Sequence, residues 1–421
     1  MNQEKTGKFI AQLRRKKGYT QREVADRLGI SEKTISKWEC GKGLPEVVFM
    51  QPLCELLGIT VNELLAGEPL PIMNLLQILD ETRIKLVEQL EFEQLKLRVY
   101  KRYGLEADSV EISEYGAGSL TYFITCGEEK HVIKYACENG MNHPEREPEI
   151  CAFLAERGIP VSHFVANRQG SMLSVDENGR RFHVQHFIEG KTYGYNSAPP
   201  WLMKESAVML ARIHNVLGDM EGLPVGIGTD FFRYRTPEAT LQSYQETLQR
   251  AVENGDVQIA EEIRSNMDIL GRFPGYELDI DRFTCVSTHG DYMITQLICG
   301  EKSIQGVIDW TTACVHPVVW EIIRSYVYAS PLCINGEIHI EDFLDYVRAY
   351  LTEGKLNPYD LENMGRMFFY FTAVCDFYGQ YYDSLTRNRG IYLQQALLSS
   401  KLLRWFDRHV EELTEALREV M

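Results

Sequence analysis

Two aspartates, Asp291 and Asp309, stand eighteen positions apart in the stretch STHGDYMITQLICGEKSIQGVIDW, residues 287–310, each at the end of an apolar, β-like run. Asp291 follows His289-Gly290 in what reads as a tight turn, and Asp309 follows Val307-Ile308. Phosphoryl transfer to an alcohol needs a carboxylate beside the attacking hydroxyl and oxygen ligands for a Mg²⁺ ion that bridges the phosphates. Asp291 suits the first role and Asp309 the second. The fifth residue after Asp291, Gln296, is placed to add a side-chain carbonyl to the metal. Upstream, Lys134 closes the apolar run HVIK, and Glu147 lies near the start of the helical stretch EREPEICAFLAER, 145–157. A strand lysine and a glutamate on the next helix suit the grip on the α- and β-phosphates of a nucleotide. In the turn before them, Gly116 and Gly118 let the backbone approach a ligand and Ser119 is placed to donate to a phosphate.

The elements that must position these groups follow from periodicity. Residues 110–136 read as strand, glycine turn, strand, turn, strand; a helix over 145–157 and a strand over 181–188 come next. The segment QHFIEG, 185–190, is then a hinge in which the backbone at Phe187 and Ile188 holds a purine. Beyond it the pattern turns helical over 201–218, 237–254, 256–270 and much of 338–420. His214, on the apolar edge of the first of these helices, is expected to be a bonded core residue. Phe368, Phe369, Phe371, Phe377 and Tyr378 read as core. The acceptor pocket is expected between the catalytic loop and the helices near 230–270 and 365–395, with Asp376, Tyr378, Tyr381, Tyr382 and Asp383 as candidates.

Taken together, HGDYMITQLI and GVIDW, with GAGS, Lys134, Glu147 and the LARIH helix, resemble the aminoglycoside phosphotransferase family of kinase-like enzymes over about residues 105–405. The resemblance implies an α+β bilobal fold with an antiparallel-sheet N-lobe and a mostly helical C-lobe. It also implies Asp291 as catalytic base with His289 bracing its turn, Asp309 and Gln296 toward Mg²⁺, and Lys134 with Glu147 on the phosphates of ATP or GTP. The family's HGDLHPGN stands here as HGDYMITQ, so glutamine replaces asparagine: the carbonyl oxygen is kept and one methylene is added.

The N-terminal 67 residues carry a different pattern and a different charge. They hold 11 Lys and Arg against 8 Asp and Glu, +3, while the remainder holds 33 against 52, −19. A small basic head on an acidic body is the asymmetry expected where one end meets nucleic acid. Thr20 with Glu23 forms a capping box, Gly29 makes a turn, and Ser31 caps a third helix with Ile35 and Trp38 inward. Pro45 opens a fourth helix and Thr60 a fifth. The stretch TQREVADRLGISEKTISKWECGKGLPE resembles the lambda-repressor-like helix-turn-helix family over about residues 5–66. That resemblance implies an all-α five-helix module on double-stranded DNA: Gln21 at phosphate, Glu32, Lys33 and Lys37 toward base edges, and Thr34 and Lys42 near phosphates.

The whole chain is therefore read as multi-domain: a helix-turn-helix domain at 1–67, a linker and long connecting helix at 68–104, a kinase-like N-lobe at 105–190 and a helical C-lobe at 191–421. The connecting helix either pairs with a second copy or packs on its own downstream domain; a repressor acting on paired half-sites would be a homodimer. Ten scattered cysteines without a Cys-x-x-Cys pair argue for reduced thiols in a cytoplasmic protein. No apolar run approaches the ~18 residues of a membrane span. Two functional readings remain: a kinase of a small hydroxylated molecule, or a regulator whose kinase-like domain senses a ligand without turnover.

Overall fold

The computed structural model describes residues 3–68, 89–113, 120–137, 143–226, 235–384 and 389–420. The chain forms two compact units, residues 1–95 and 96–421. The linker prolines at 69 and 71 and the first half of the connecting helix lie outside the described residues.

Over residues 3–68 of the first unit the chain forms five helices: α1 (Gln3–Lys16), α2 (Gln21–Leu28), α3 (Glu32–Glu39), α4 (Val47–Leu57) and α5 (Val61–Ala66). Local chemistry explains their limits. Thr20 and Glu23 make the reciprocal capping box, Thr60 and Glu63 repeat it, and the Ser31 hydroxyl accepts the Thr34 N–H. Pro45 does not open α4; Glu46 is its N-cap and the helix starts at Val47. Ile10, Val24, Ile35, Trp38, Leu53 and Leu64 meet in the core.

The second unit begins within a helix, α6, that spans 89–103. Its last turns lie on the downstream sheet: Arg98 donates to the Tyr135 hydroxyl (2.6 Å), Arg102 to the Val175 carbonyl (3.1 Å) and Tyr103 to Ser174 Oγ (2.9 Å). The sheet is antiparallel, in the order β1 (Ser109–Ile112), β2 (Thr121–Cys126), β3 (Glu129–Tyr135), β6 (Arg181–His186), β4 (Phe164–Val165), with β5 (Ser174–Val175) also on β6. β6 stops at His186, two residues short of the sequence expectation. Helix α7 (Glu147–Ala155) follows β3. The rest is a helical lobe around the nearly fully buried helix Val318–Ala329, with the helices Pro358–Ala373 and Arg389–Arg418 packed together. His214 is a core residue as expected, its Nδ1 at 2.9 Å from the Tyr350 hydroxyl and its Nε2 at 3.0 Å from Glu321.

Two short ladders inside this lobe position the aspartates. β7 (Cys285–Thr288) pairs with β10 (Cys314–Pro317), and β8 (Leu297–Cys299) pairs with β9 (Ile304–Val307). Asp291 leaves β7 and Asp309 leaves β9, so the β8–β9 hairpin folds the intervening chain back and brings the two turns together.

Candidate active site

Lys134 sits near the end of β3 and Glu147 at the first position of α7, and they meet at the start of the turn after β9. Lys134 Nζ lies 2.5 Å from Asp309 Oδ1 and 3.5 Å from Glu147 Oε1. Glu147 Oε1 also accepts the Trp310 N–H at 3.0 Å. Burial disfavours the Lys134 ammonium, but the Asp309 and Glu147 carboxylates outweigh it and raise its pKa. Burial likewise opposes ionisation of Asp309, yet Lys134 and the Thr311 hydroxyl hold its carboxyl below the usual range. Glu147 goes the other way: its burial dominates and its pKa is raised. Asp309 has φ +68°, a left-handed conformation rare for a residue with a Cβ, and one that clusters at functional turns.

The Asp291 turn is braced by its neighbours. His289 Nδ1 accepts the Asp291 N–H at 3.2 Å, which leaves Nε2–H to donate to the Ile308 carbonyl at 2.9 Å. Its ring packs against Trp310, centroids 4.4 Å apart. Gly290 has φ +80°, and a Cβ there would stand 2.0 Å from the Thr312 carbonyl oxygen, so only glycine fits. The 3₁₀ turn 294–296 carries Gln296, whose backbone carbonyl accepts the Ile308 N–H at 3.0 Å; this fastens the Gln296 backbone next to the residue preceding Asp309. Among the described residues no three His, Cys, Asp or Glu side chains cluster as a metal site. The Asp309 carboxylate offers hard oxygens of the sort Mg²⁺ takes, with phosphate oxygens and water left to complete the shell.

At the hinge, the Phe187 N–H is already spent on the Lys130 carbonyl (3.1 Å), and the ring meets Phe123 edge-on at 5.7 Å. Ile188 lies over Gly306 of β9, where a Cβ would come within 2.5 Å of its Cδ1. Gly116, Gly118 and Ser119 lie outside the described residues. In the first unit Glu32, Lys33, Lys37 and Lys42 are exposed and Thr34 is half-buried. Gln21 donates to Glu39 at 2.7 Å, and Glu39 also holds the buried Arg14.

Several groups escaped the sequence reading. Arg324, on the buried helix Val318–Ala329, places Nη2 2.6 Å from Asp291 Oδ1. Glu321, one turn earlier, accepts the Tyr292 N–H at 3.1 Å and so holds the chain immediately after Asp291. His183 is the cross-strand partner of Lys134, with Nε2 3.4 Å from Glu147 Oε2. The residues expected around an acceptor are used otherwise. Asp376 accepts from Ser243 (2.9 Å), Thr247 (2.6 Å) and Gly379 N–H (2.8 Å), capping a helix. Tyr378 is buried in the core, and Asp383 pairs with Arg250 at 2.8 Å.

Burial, reinforced by Lys134, holds the His183 imidazole down at about 3. An unfolded histidine titrates near 6.5. Between those values the unfolded chain binds one more proton, so this residue makes stability fall as pH drops, by up to about 1.4 kcal/mol per pH unit. A His183→Gln variant is expected to show a flatter stability profile from pH 6.5 to 4.5 in urea unfolding. An unchanged slope would show that the proton uptake belongs to other groups.

Comparison with known proteins agrees with this layout. Residues 116–359 match the family described as phosphotransferase enzyme family, and residues 7–69 match a helix-turn-helix domain. Over 61 residues the chain is 41% identical to the HTH-type transcriptional activator BcrR of Enterococcus faecalis, covering 14% of this chain and 30% of that protein. It is 36% identical over 61 residues to the SPbeta prophage-derived uncharacterized HTH-type transcriptional regulator YonR of Bacillus subtilis (strain 168), covering 14% and 56%. The chain thus spans at most about half the length of these two relatives. The structure of a microcompartment-associated aminopropanol kinase superposes with a TM-score of 0.51 at 14% identity, covering 76% of this chain and 98% of that one, a likeness of fold. No helix among the described residues is long and apolar enough to cross a membrane.

Proposed function

The chain belongs to the phosphotransferase enzyme family, and from that membership we propose that it transfers the γ-phosphate of ATP or GTP to a hydroxyl of a small molecule. We further propose that the helix-turn-helix domain binds double-stranded DNA, with Lys33, Lys37 and Lys42 toward the duplex. The observation that carries the enzymatic reading is the Lys134–Asp309 pair at 2.5 Å, with the Asp291 turn tied to the same β9 exit through His289 and Ile308.

In this reading Lys134, oriented by Glu147, holds the α- and β-phosphates. Asp309, kept ionised by Lys134, and the Gln296 carbonyl would hold Mg²⁺, which neutralises charge on the phosphate oxygens. Asp291 accepts the proton of the acceptor hydroxyl and orients its lone pair, while His289 fixes the turn. Glycines 116 and 118 and Ser119 complete the nucleotide site, with the hinge contributing through Ile188 and the Phe187 carbonyl, since the Phe187 N–H is spent on Lys130.

One titration series on the full chain tests both halves. ATP and GTP, each with and without Mg²⁺, are titrated into the wild type and Asp309→Ala by calorimetry, and a mixed duplex DNA pool is titrated at two salt concentrations. Mg²⁺-dependent nucleotide binding that disappears in Asp309→Ala, and DNA affinity that falls with salt, are the expected results. No binding of either nucleotide removes the phosphotransfer reading and leaves a regulator that senses some other ligand. No salt-dependent DNA retention removes the DNA-binding reading.

A further inference from the structure

The catalytic turn of this acidic body faces a cation. Arg324 projects from the buried helix Val318–Ala329 onto the Asp291 carboxylate, and Trp320 and Tyr328, four residues before and after it, share its helix face. The guanidinium carbon stands 5.0 Å from the Trp320 ring centroid and 5.6 Å from that of Tyr328. Tyr195, from the segment after the hinge, extends this wall with its ring 5.3 Å from Tyr328. Aromatic faces on two sides and a carboxylate at one end fix the plane and direction of the fork.

What the site lacks is acceptors. Arg324 Nη1 is buried and has no hydrogen-bond partner among the described residues, and Trp320 Nε1, on the same helix face, has none either. Native interiors leave few such donors unpaired, because each costs its full desolvation. The nearby carboxylate that could have served, Asp376, is spent on Ser243, Thr247 and Gly379. Arg235 adds a second cation: it and Arg324 both act on the buried Cys375 thiol, whose burial is what chiefly raises it.

We infer that Arg324, with Trp320 Nε1, is the specificity-determining element of the acceptor site and selects a hydroxylated small molecule that carries a carboxylate or phosphate group. This rests on the phosphotransfer reading above. A guanidinium offers an oxyanion two parallel N–H bonds, and here Nη2 is taken by Asp291 while Nη1 is buried without a partner among the described residues, so an anionic group held there would supply the acceptor it lacks. An acceptor so held has its anionic group on Arg324 and its hydroxyl beside Asp291, a few atoms apart. A polycationic acceptor would instead meet the guanidinium on the carboxylate it needs.

The test uses the full chain with Mg²⁺ and ATP or GTP, reading nucleoside diphosphate release against matched probes: glycerate, glycerol 3-phosphate and glycerol; 4-hydroxybutyrate and 1,4-butanediol; and choline as the cationic alcohol. The expected result is an acceptor KM at least tenfold lower for an anionic member than for its neutral twin, with choline no better than the neutral compounds. The glycerate and glycerol 3-phosphate arms separate a carboxylate from a phosphate. In Arg324→Lys, which keeps the charge beside Asp291 but loses the fork, the KM advantage is expected to collapse by more than tenfold with a smaller change in kcat. Equal use of neutral and anionic twins, or a preference for choline, overturns the inference whether or not the variant folds. Nucleotide affinity measured on the same samples tells the two failures apart: binding with the wrong acceptor preference removes only this inference, and no binding removes phosphotransfer with it.

Discussion

Replacing Asp291 by Asn is expected to lower kcat by roughly 10²–10⁴-fold while leaving the affinity for Mg²⁺-nucleotide within about twofold. The asymmetry follows from where the side chain sits. Asp291 lies outside the Lys134–Glu147–Asp309 cluster, and its carboxylate touches Arg324. Asparagine fills the same volume and keeps an oxygen for Arg324, and the backbone N–H still reaches His289 Nδ1. What it cannot do is take the hydroxyl proton. Steady-state turnover and calorimetry on the same preparation measure the two quantities. A loss of kcat under about tenfold with intact binding would mean that proton removal is not where Asp291 contributes, and a matched loss of nucleotide affinity would move it into the nucleotide site.

Lys134→Met is expected to remove roughly 3–5 kcal/mol of stability at pH 7 and with it Mg²⁺-dependent nucleotide binding. The cation touches both carboxylates and is the largest offset to each: Glu147, whose side chain is only 1% exposed, and Asp309. Without Lys134, burial and mutual repulsion raise the Glu147 carboxyl further above its unfolded value and lift Asp309 from below its own to above it. A carboxyl raised in the folded state destabilises it most above that raised pKa, so the deficit should shrink as pH falls toward 5. The double variant Lys134→Met/Glu147→Gln should recover part of the loss at pH 7 but none of the nucleotide binding. Urea unfolding at pH 5 and 7 checks both statements; a deficit independent of pH would mean that lost packing, not unpaired charge, is the cause.

Legibility in the sequence tracked the range of the interaction. The capping box at Thr20–Glu23 and the helix start at Thr60 were readable because each capping partner lies within the same turn of chain. The spacing of His289, Gly290, Asp291, Gln296 and Asp309 was equally readable, since one hairpin connects them. The pairing of the four-residue strands β7 and β10 was not, for it joins segments separated by the whole hairpin. The acceptor candidates misled for the same reason. Asp376 is saturated by Ser243 and Thr247, 133 and 129 positions away, and no local pattern marks an aspartate as already used.

The sequence by itself determined which groups this protein brings to its chemistry, and in what order: the basic capped helices at the front, then strand lysine, helix glutamate and the two aspartates. These follow from residue type, caps and periodicity, which act over a few residues. Only the tertiary structure decided what each group faces. It set Arg324 on Asp291 with Nη1 buried and unpartnered among the described residues, put His183 beside Lys134 by cross-strand register, and turned Gln21 onto Glu39. Strand register and the face a helix buries depend on how distant surfaces pack, and that packing is a property of the whole chain rather than of any window within it.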